Sequence, residues 1–458
     1  MKVFTGGIAP ISWIAAINLF VTTYTGAQDE KNVPGPSSPA QFSCQNIDYE
    51  IFGLQRTDEQ WFRDYLELSR VLIKNSDDIE ALQKKIMTTD IFTAASVRVE
   101  PSVKGSCKSQ IFVNEKWTRI PVIRGAYGGG TPLVILGGYE TNAFGRLLAI
   151  GGEVRRYGNQ PPGAFLFFKS PRAWRGLGLW GGEIWLDRRR RQFYDHNGDV
   201  FGFADSESLL TKMQWLYPIG RIGRHGSLQA GFHLQVSRES PSSFAKSQAS
   251  KASSDEYPRG VSLNTKAGFG GVFGAIIAGD DLTIYGLSMD GLKGRLVAGT
   301  SRAPQSTGAF SEAEVFGYAL VGRDVNLAAH GFIGSTTDKT LSGLYYLGGF
   351  DSIRGLPDGI RYGNKIAYTN LELRAVAAKF QYAHIQSAVF IDSGAAWLDS
   401  EPTGSGRETS TGAGFRISIP QVYRLILRVD YGLSIGTTKS RGVSIGLNQF
   451  FQPYKLTF

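Results

Sequence analysis

Residues 425–435, LILRVDYGLSI, place Leu425, Leu427, Val429, Tyr431, Leu433 and Ile435 at odd positions and Ile426, Arg428, Asp430, Gly432 and Ser434 at even ones. In a β-strand successive side chains point to opposite faces, so one face of this segment is continuously apolar and the other mostly polar or small. The pattern recurs on either side. Val443, Ile445, Leu447 and Phe451 alternate with Gly442, Ser444, Gly446 and Asn448, and Ala413, Phe415, Ile417 and Ile419 with Gly412, Gly414, Arg416 and Ser418. A soluble sandwich produces the same alternation. Length favours a membrane instead: from residue 119 onward the chain consists of short alternating segments broken by Gly, Asn, Asp and Pro. About 340 residues at roughly 20 per strand and connection gives about 16 to 17 strands, the size of a large closed transmembrane antiparallel β-barrel. A lumen accounts for the charges and glycines on one face, and closure leaves no sheet edge in lipid.

Composition agrees with this reading. Of 458 residues 57 are Gly, against an ordinary usage near ~7%, and 12% are aromatic. Hydrophobic content is a moderate 42%, as expected when only one face of each strand meets lipid. The net charge of +9 is dispersed apart from Arg188 to Arg191, which argues against nucleic acid as a partner. That run reads as the solvated end of a hairpin near Asn197-Gly198, or as a contact for lipid phosphates.

Ahead of the barrel the texture changes twice. Lys2, the apolar stretch Ile8 to Val21 and Thr25-Gly26-Ala27 read as a signal peptide over residues 1–27. Residues 28–45, rich in Pro, Ser and charge, read as a linker. Residues 46–118 carry a strand around Ile47 to Ile51, a helix with Thr57 as N-cap, a second helix with Ile79, Leu82 and Ile86, and strands Ala95 to Glu100 and Gln110 to Lys116. The order β-α-α-β-β predicts one small α/β domain, followed by the barrel over 119–458. The two cysteines, Cys44 and Cys107, invite a disulfide in an oxidising compartment, worth roughly 4 kcal/mol by loop closure; two separate thiols are the alternative.

Catalysis is not expected. Gly176 to Gly181 matches G-x-G-x-x-G but precedes strand-like residues, and no motif assembles a metal site, a nucleophile or a cofactor site. The informative residues lie at 347–394. Alternation turns Glu372 and Arg374 inward between Leu371 and Leu373, and Phe390, Asp392 and Gly394 inward between Val389 and Ile391. Two inward carboxylates on neighbouring strands want a cation. Arg354 precedes them in a segment flanked by Gly349 and Gly355, so the physical reading is a loop folded into the lumen that docks Arg354 on Glu372 and Asp392. The plain alternative is a set of lumen charges solvated by water.

These residues resemble the BamA/TamA-like superfamily of outer-membrane assembly and translocation proteins, the bacterial surface antigen family. Ser352-Ile353-Arg354-Gly355-Leu356 is similar to the family's V-R-G-[FY] loop motif, Phe390 to Gly394 to its F-x-D-x-G strand motif, and Glu372 to its acidic position on the preceding strand. Gly53 to Thr57, Thr89 to Phe92 and Val113-Asn114-Glu115 resemble a POTRA domain, and Asn142 to Arg146 the N-x-F-G-R segment of the early barrel strands. The resemblance implies sixteen strands, a loop lock of Arg354, Gly355, Glu372, Asp392 and Gly394, and a terminal signal aromatic at either Phe451 or Phe458. It also implies outer-membrane lipids, unfolded outer-membrane or secreted clients, and periplasmic accessory proteins or chaperones as partners. The domain of residues 46–118 would then be periplasmic. Two departures stand out: Leu356 replaces the aromatic, and a single POTRA-like unit replaces several.

Overall fold

The computed structural model describes residues 46–451, apart from residues 70, 72, 88, 102–105, 128–131, 159, 171–177, 196–197, 223–225, 248–257, 265, 286, 323, 350–351, 424 and 448. The expected signal peptide, the linker with Cys44, and Phe458 lie outside the described residues.

The N-terminal unit contains β1 (Asn46–Phe52), α1 (Glu59–Leu66), α2 (Ser76–Met87), β2 (Phe92–Pro101) and β3 (Ser106–Glu115). Its sheet has the order β1-β3-β2, with β1 parallel and β2 antiparallel to β3. Phe62, Leu66, Ile86, Phe92 and Ile111 are fully buried in its core. The N-cap of α1 is Asp58, whose Oδ1 accepts from the Trp61 amide at 2.6 Å, not Thr57 as the sequence suggested. A cap must present its oxygen to the amide three residues on; Thr57 is instead buried and accepts from Asn142 Nδ2 at 3.0 Å. Glu115 closes the loop before α1 by accepting from the amides of Arg56 and Thr57 at 2.9 and 3.0 Å. Tyr49 donates to the Val71 carbonyl at 3.2 Å, and burial pushes its phenol up to about 12. Cys107 is buried opposite Ile47 and disulfide-bonded.

The remaining strands are β4 (Arg119–Tyr127), β5 (Leu133–Ala143), β6 (Leu148–Tyr157), β7 (Gly163–Ser170), β8 (Leu179–Tyr194), β9 (Val200–Ile222), β10 (Gly226–Glu239), β11 (Ser243–Lys246), β12 (Gly268–Tyr285), β13 (Ser288–Ala303), β14 (Ser306–Leu320) and β15 (Val325–Thr336). A hairpin of β16 (Tyr345–Leu347) and β17 (Arg361–Gly363) interrupts them, and β18 (Lys365–Lys379), β19 (His384–Trp397), β20 (Glu408–Ser418), β21 (Ile426–Ser434) and β22 (Arg441–Leu447) complete the set. All but β16 and β17 close into one barrel. β10 and β11 follow one another along β9 and count as one strand, so eleven strands precede the hairpin and five follow it, sixteen in all.

The alternation read at residues 425–435 is realised. Leu427, Val429, Tyr431 and Leu433 are 40–47% exposed on the outside, while Arg428 and Asp430 are at most 3% exposed in the lumen. Outward apolar side chains recur around the wall, for example Ile123, Leu166, Ile184, Phe273, Leu296 and Ile333, which makes the surface a lipid-facing one. No helix among the described residues is long and apolar enough to cross a membrane. Gly178 lies directly before β8, so no helix follows the glycine cluster at 176–181.

The turn between β5 and β6 pins the two units together. Gly145, at φ +68, accepts from the Asp58 amide at 3.0 Å, and an added Cβ would stand 2.4 Å from the Arg56 carbonyl oxygen. Leu147 of the same turn is buried in the core of the α/β domain. The segment Asn142 to Arg146 therefore acts as a docking knuckle.

Candidate functional site

The segment between β15 and β18 turns inward and packs against the lumen wall. Leu347, Ile353, Leu356 and Ile360 are buried there against Ile366 and Ala396 of the wall. Ser352 tightens the turn: its Oγ accepts from the Gly348 amide at 2.7 Å and donates to the Gly348 carbonyl at 3.1 Å. Gly355 has φ +81, and an added Cβ would stand 2.5 Å from the backbone of Gly432 on β21. A side chain at either glycine would separate loop from wall, so the close approach requires both.

Arg354 then meets the carboxylates named from the sequence. Its Nε donates to Asp392 Oδ2 at 2.8 Å and its Nη2 to Asp392 Oδ1 at 2.8 Å, a bidentate pair. Its backbone amide also donates to Asp392, at 3.1 Å, and its Nη1 donates to Glu372 Oε1. The guanidinium carbon lies 3.4 Å from the Phe390 ring centroid. Asn370 fixes the acceptor by donating to Asp392 Oδ1 at 2.9 Å and to the Ser352 carbonyl at 2.6 Å. Arg354, Glu372 and Asp392 are 0–2% exposed, so the ion pair is desolvated, where planar two-point hydrogen bonding counts most. Gly394 has a separate role: a Cβ there would meet Tyr368 Cβ at 2.4 Å.

The network is larger than the sequence reading. Arg374 Nε donates to Glu372 Oε2 at 2.6 Å, and Arg416 Nη2 reaches Glu372 Oε1 at 3.4 Å. Asp430 accepts from Arg416 and, at 2.9 Å, from Arg428, and lies 3.6 Å from Arg354 Nη1. Four guanidiniums thus share three carboxylates. Arg416, Arg428 and Asp430 were legible as inward polar positions, and the register that sets Arg416 opposite Arg428 and Gly414 opposite Asp430 is the signal that links them.

Phe451 departs from its expected place. The last strand ends at Leu447, and Phe451 is 2% exposed in the lumen, packed near Phe316, Tyr318 and His330. A signal aromatic at the end of a lipid-facing strand would point outward. The Arg188 to Arg191 run divides by alternation: Arg188 and Arg190 face out and pair with Glu207 and Asp205, whereas Arg189 pairs with Asp187 and Arg191 lies over the Tyr346 ring.

The seam between first and last strands is partly outside the described residues, since residues 128–131 would continue it beyond Tyr127. Among the described residues β22 pairs with β4 through Val443–Tyr127, Ser444–Ala126 and Ile445–Gly125, and the ladder does not continue to Gly446 and Leu447. By contrast β12 and β13 pair continuously from Gly271–Arg302 to Tyr285–Ser288.

Residues 309–451, which contain the whole loop lock, match the Omp85 superfamily domain. No curated protein matches the sequence. Among solved structures the chain is similar to CdiB from Acinetobacter baumannii (TM-score 0.58, 14% identity, covering 89% of this chain and 74% of that one). It is also similar to BamA from Haemophilus ducreyi lacking POTRA domains 1–3 (TM-score 0.51, 13% identity, 88% and 84%). A third likeness is to CdiB from Escherichia coli (TM-score 0.51, 10% identity, 95% of each chain). At these identities the likeness is one of fold.

Proposed function

We propose, from the premise that residues 309–451 form an Omp85 superfamily domain, that this protein resides in the bacterial outer membrane and assists insertion or translocation of other proteins there. The observation that carries this reading is the pairing of a locked loop with a weak seam. Each residue of strand pairing lost at β4 and β22 removes wall hydrogen bonds that lipid cannot replace, so this seam, whose pairing among the described residues stops at Ile445–Gly125 and leaves Gly446 and Leu447 unpaired with β4, is where the barrel opens at least cost. The network around Arg354 keeps the opposite side of the loop seated while the seam moves.

The α/β domain is then a periplasmic, POTRA-like unit. The order β1-β3-β2 leaves one side of β1 and of β2 without a strand partner among the described residues, and an incoming extended chain can add to such an edge by main-chain hydrogen bonding. Docking through Gly145 and Leu147 holds that edge at a fixed place below the barrel mouth. Clients, outer-membrane lipids and periplasmic accessory proteins or chaperones are the partners this arrangement serves.

A second reading, a dedicated secretion channel for one exported chain, is favoured by the likeness to CdiB, which extends over 95% of both chains in one case. Depletion in the native cell separates the two. General loss of folded outer-membrane proteins identifies an assembly factor; loss of a single exported protein identifies a secretion channel. An unchanged outer-membrane and secreted proteome would overturn both.

A further inference from the structure

Strand directions alternate around the barrel, so the last residues of β8, β10 and β13 lie at the end opposite the β5–β6 turn that touches the α/β domain. Outward arginines at that end fall into two kinds. Arg188 and Arg190 of β8 are each held by a carboxylate of β9, Glu207 and Asp205. Arg238 of β10 shares the outward face of Leu234 and Val236, and Arg302 of β13 that of Leu292 and Leu296; both are exposed, and neither has a hydrogen bond or ion pair among the described residues. Register sets Arg238 opposite Phe269 and Arg302 opposite Gly271 of the intervening β12. The two cations therefore stand about 10 Å apart across β12, two strand spacings.

Along β13 from Arg302 the same face passes Thr300 to Ala298. Ala298 belongs to a registered row of small outward residues, Ala275, Ala298, Ser311 and Ser335, that crosses β12 to β15. The next row toward the domain end holds Ile277, Leu296 and Ile333, each more than half exposed. Short side chains beside long ones make the wall concave, and a groove of about 580 Å³ follows the row as far as Lys365 and Trp397. A methylene chain lying there has protein at its side as well as beneath it, so it makes more dispersion contacts than on a flat stretch of wall. Lys365 is already paired with Asp399 at 2.9 Å, so the groove suits an apolar chain and the open positive charge lies at Arg238 and Arg302.

We propose that this surface binds one lipid with a doubly phosphorylated head group, its phosphates on Arg238 and Arg302 and one acyl chain running past Thr300 into the groove at Ala298. A guanidinium meets a phosphate through parallel N–H donors. Two unpaired arginines favour a head group with two phosphates over one that carries a single phosphate and an ammonium, because the ammonium would bring a further cation to the pair. A chain in the groove touches β12 to β15 at once and braces that part of the wall from outside. With the α/β domain in the periplasm, the reading proposed above on which this placement rests, the lipid belongs to the outer leaflet.

Native mass spectrometry of the full-length protein, released from detergent micelles that carry one added lipid at a time, tests this. The probes are bisphosphorylated lipid A, the same lipid with its phosphates removed, and phosphatidylethanolamine. The bisphosphorylated lipid is expected to be retained several-fold more than either of the others. Arg238→Gln with Arg302→Gln is expected to bring its retention down to that of the dephosphorylated lipid, and Ala298→Phe, which fills the groove and leaves the charges, to lower it several-fold as well. Arg188→Gln with Arg190→Gln is expected to leave it unchanged. Equal retention of the three lipids, or a loss from the Arg188 and Arg190 pair as large as from Arg238 and Arg302, would overturn the site; a loss confined to the Arg238 and Arg302 variant would overturn the groove. Heat-modifiable mobility establishes that each barrel is folded, and Ser311→Leu repeats the groove measurement if Ala298→Phe is not. Protease access to the α/β domain in intact cells reads orientation separately, so failure of the periplasmic placement and failure of the lipid site are distinguishable.

Discussion

The two sides of the lumen are built from different chemistry. On the wall of β4 to β8 an aromatic and aliphatic cluster faces inward, with Phe165 4.0 Å from Trp185 and 5.3 Å from Phe167 and Ile120, Val122 and Ile135 beside them, and its buried carboxylates, Glu153 and Glu183, are held locally by Arg155 and by the Trp185 indole. On the wall of β18 to β21 the inward side chains include Glu372, Arg374, Asp392, Arg416, Arg428 and Asp430, all at most 3% exposed. An aromatic cluster tolerates sliding, because burial is not directional. A desolvated ion network does not, because each charge left unpaired is penalised in full. The aromatic part of the β4 to β8 wall is therefore the more compliant, and the wall of β18 to β21, where six charges share one network with the loop, the more rigid.

That contrast can be broken most severely at Arg354. Arg354→Ala leaves Asp392 with buried oxygens and no guanidinium, and is expected to cost about 3 to 5 kcal/mol. Loss of heat-resistant mobility and of folded barrel in membranes would register it; an unchanged melting profile would show that the lock does not hold the barrel. Phe165→Ala on the compliant wall is expected to cost about 3 kcal/mol, measured as a fall in thermal stability with the loop still seated. A larger loss than at Arg354 would reverse the assignment of rigid and compliant walls.

Gly355→Ala tests the same lock without touching a charge. Its φ of +81 and the 2.5 Å approach to Gly432 combine backbone strain with a clash, for an expected loss of about 1 to 3 kcal/mol, read from protease sensitivity of residues 348–364. The smallest effect belongs to the outer surface. Arg190 pairs bidentately with Asp205 at 2.8 and 2.7 Å but is exposed, so Arg190→Ala is expected to change stability by about 0 to 1 kcal/mol, with the barrel melting where the unaltered protein does.

Much of the lock was legible from residues 347–394 because alternation is a local property. Leu371, Glu372 and Leu373 need no knowledge of the rest of the chain to be assigned their faces, and the same holds for Val389 to Ile391. Asp430 and Arg416 were visible only as inward polar positions, since their meeting with Arg354 depends on how β20 and β21 stagger against β19. Thr57 shows the opposite failure. It satisfies the sequence preference for a cap, yet the α1 amides are reached by Asp58 and Thr57 is drawn to Asn142 by docking of the barrel turn.

The sequence by itself determined a barrel of about this size with an α/β unit before it, and which charges enter the lumen, because strand period and turn chemistry are written in neighbouring residues. Only the tertiary structure decided the joining of the two units at Gly145 and Leu147 and the inward placement of Gln449 to Phe451. The alternation from Val443 to Phe451 continues as though the strand did. Gln449, Phe450 and Phe451 instead meet the guanidiniums of Arg416, Arg354 and Arg374, brought together from β20, the inward loop and β18, and no local pattern records that meeting.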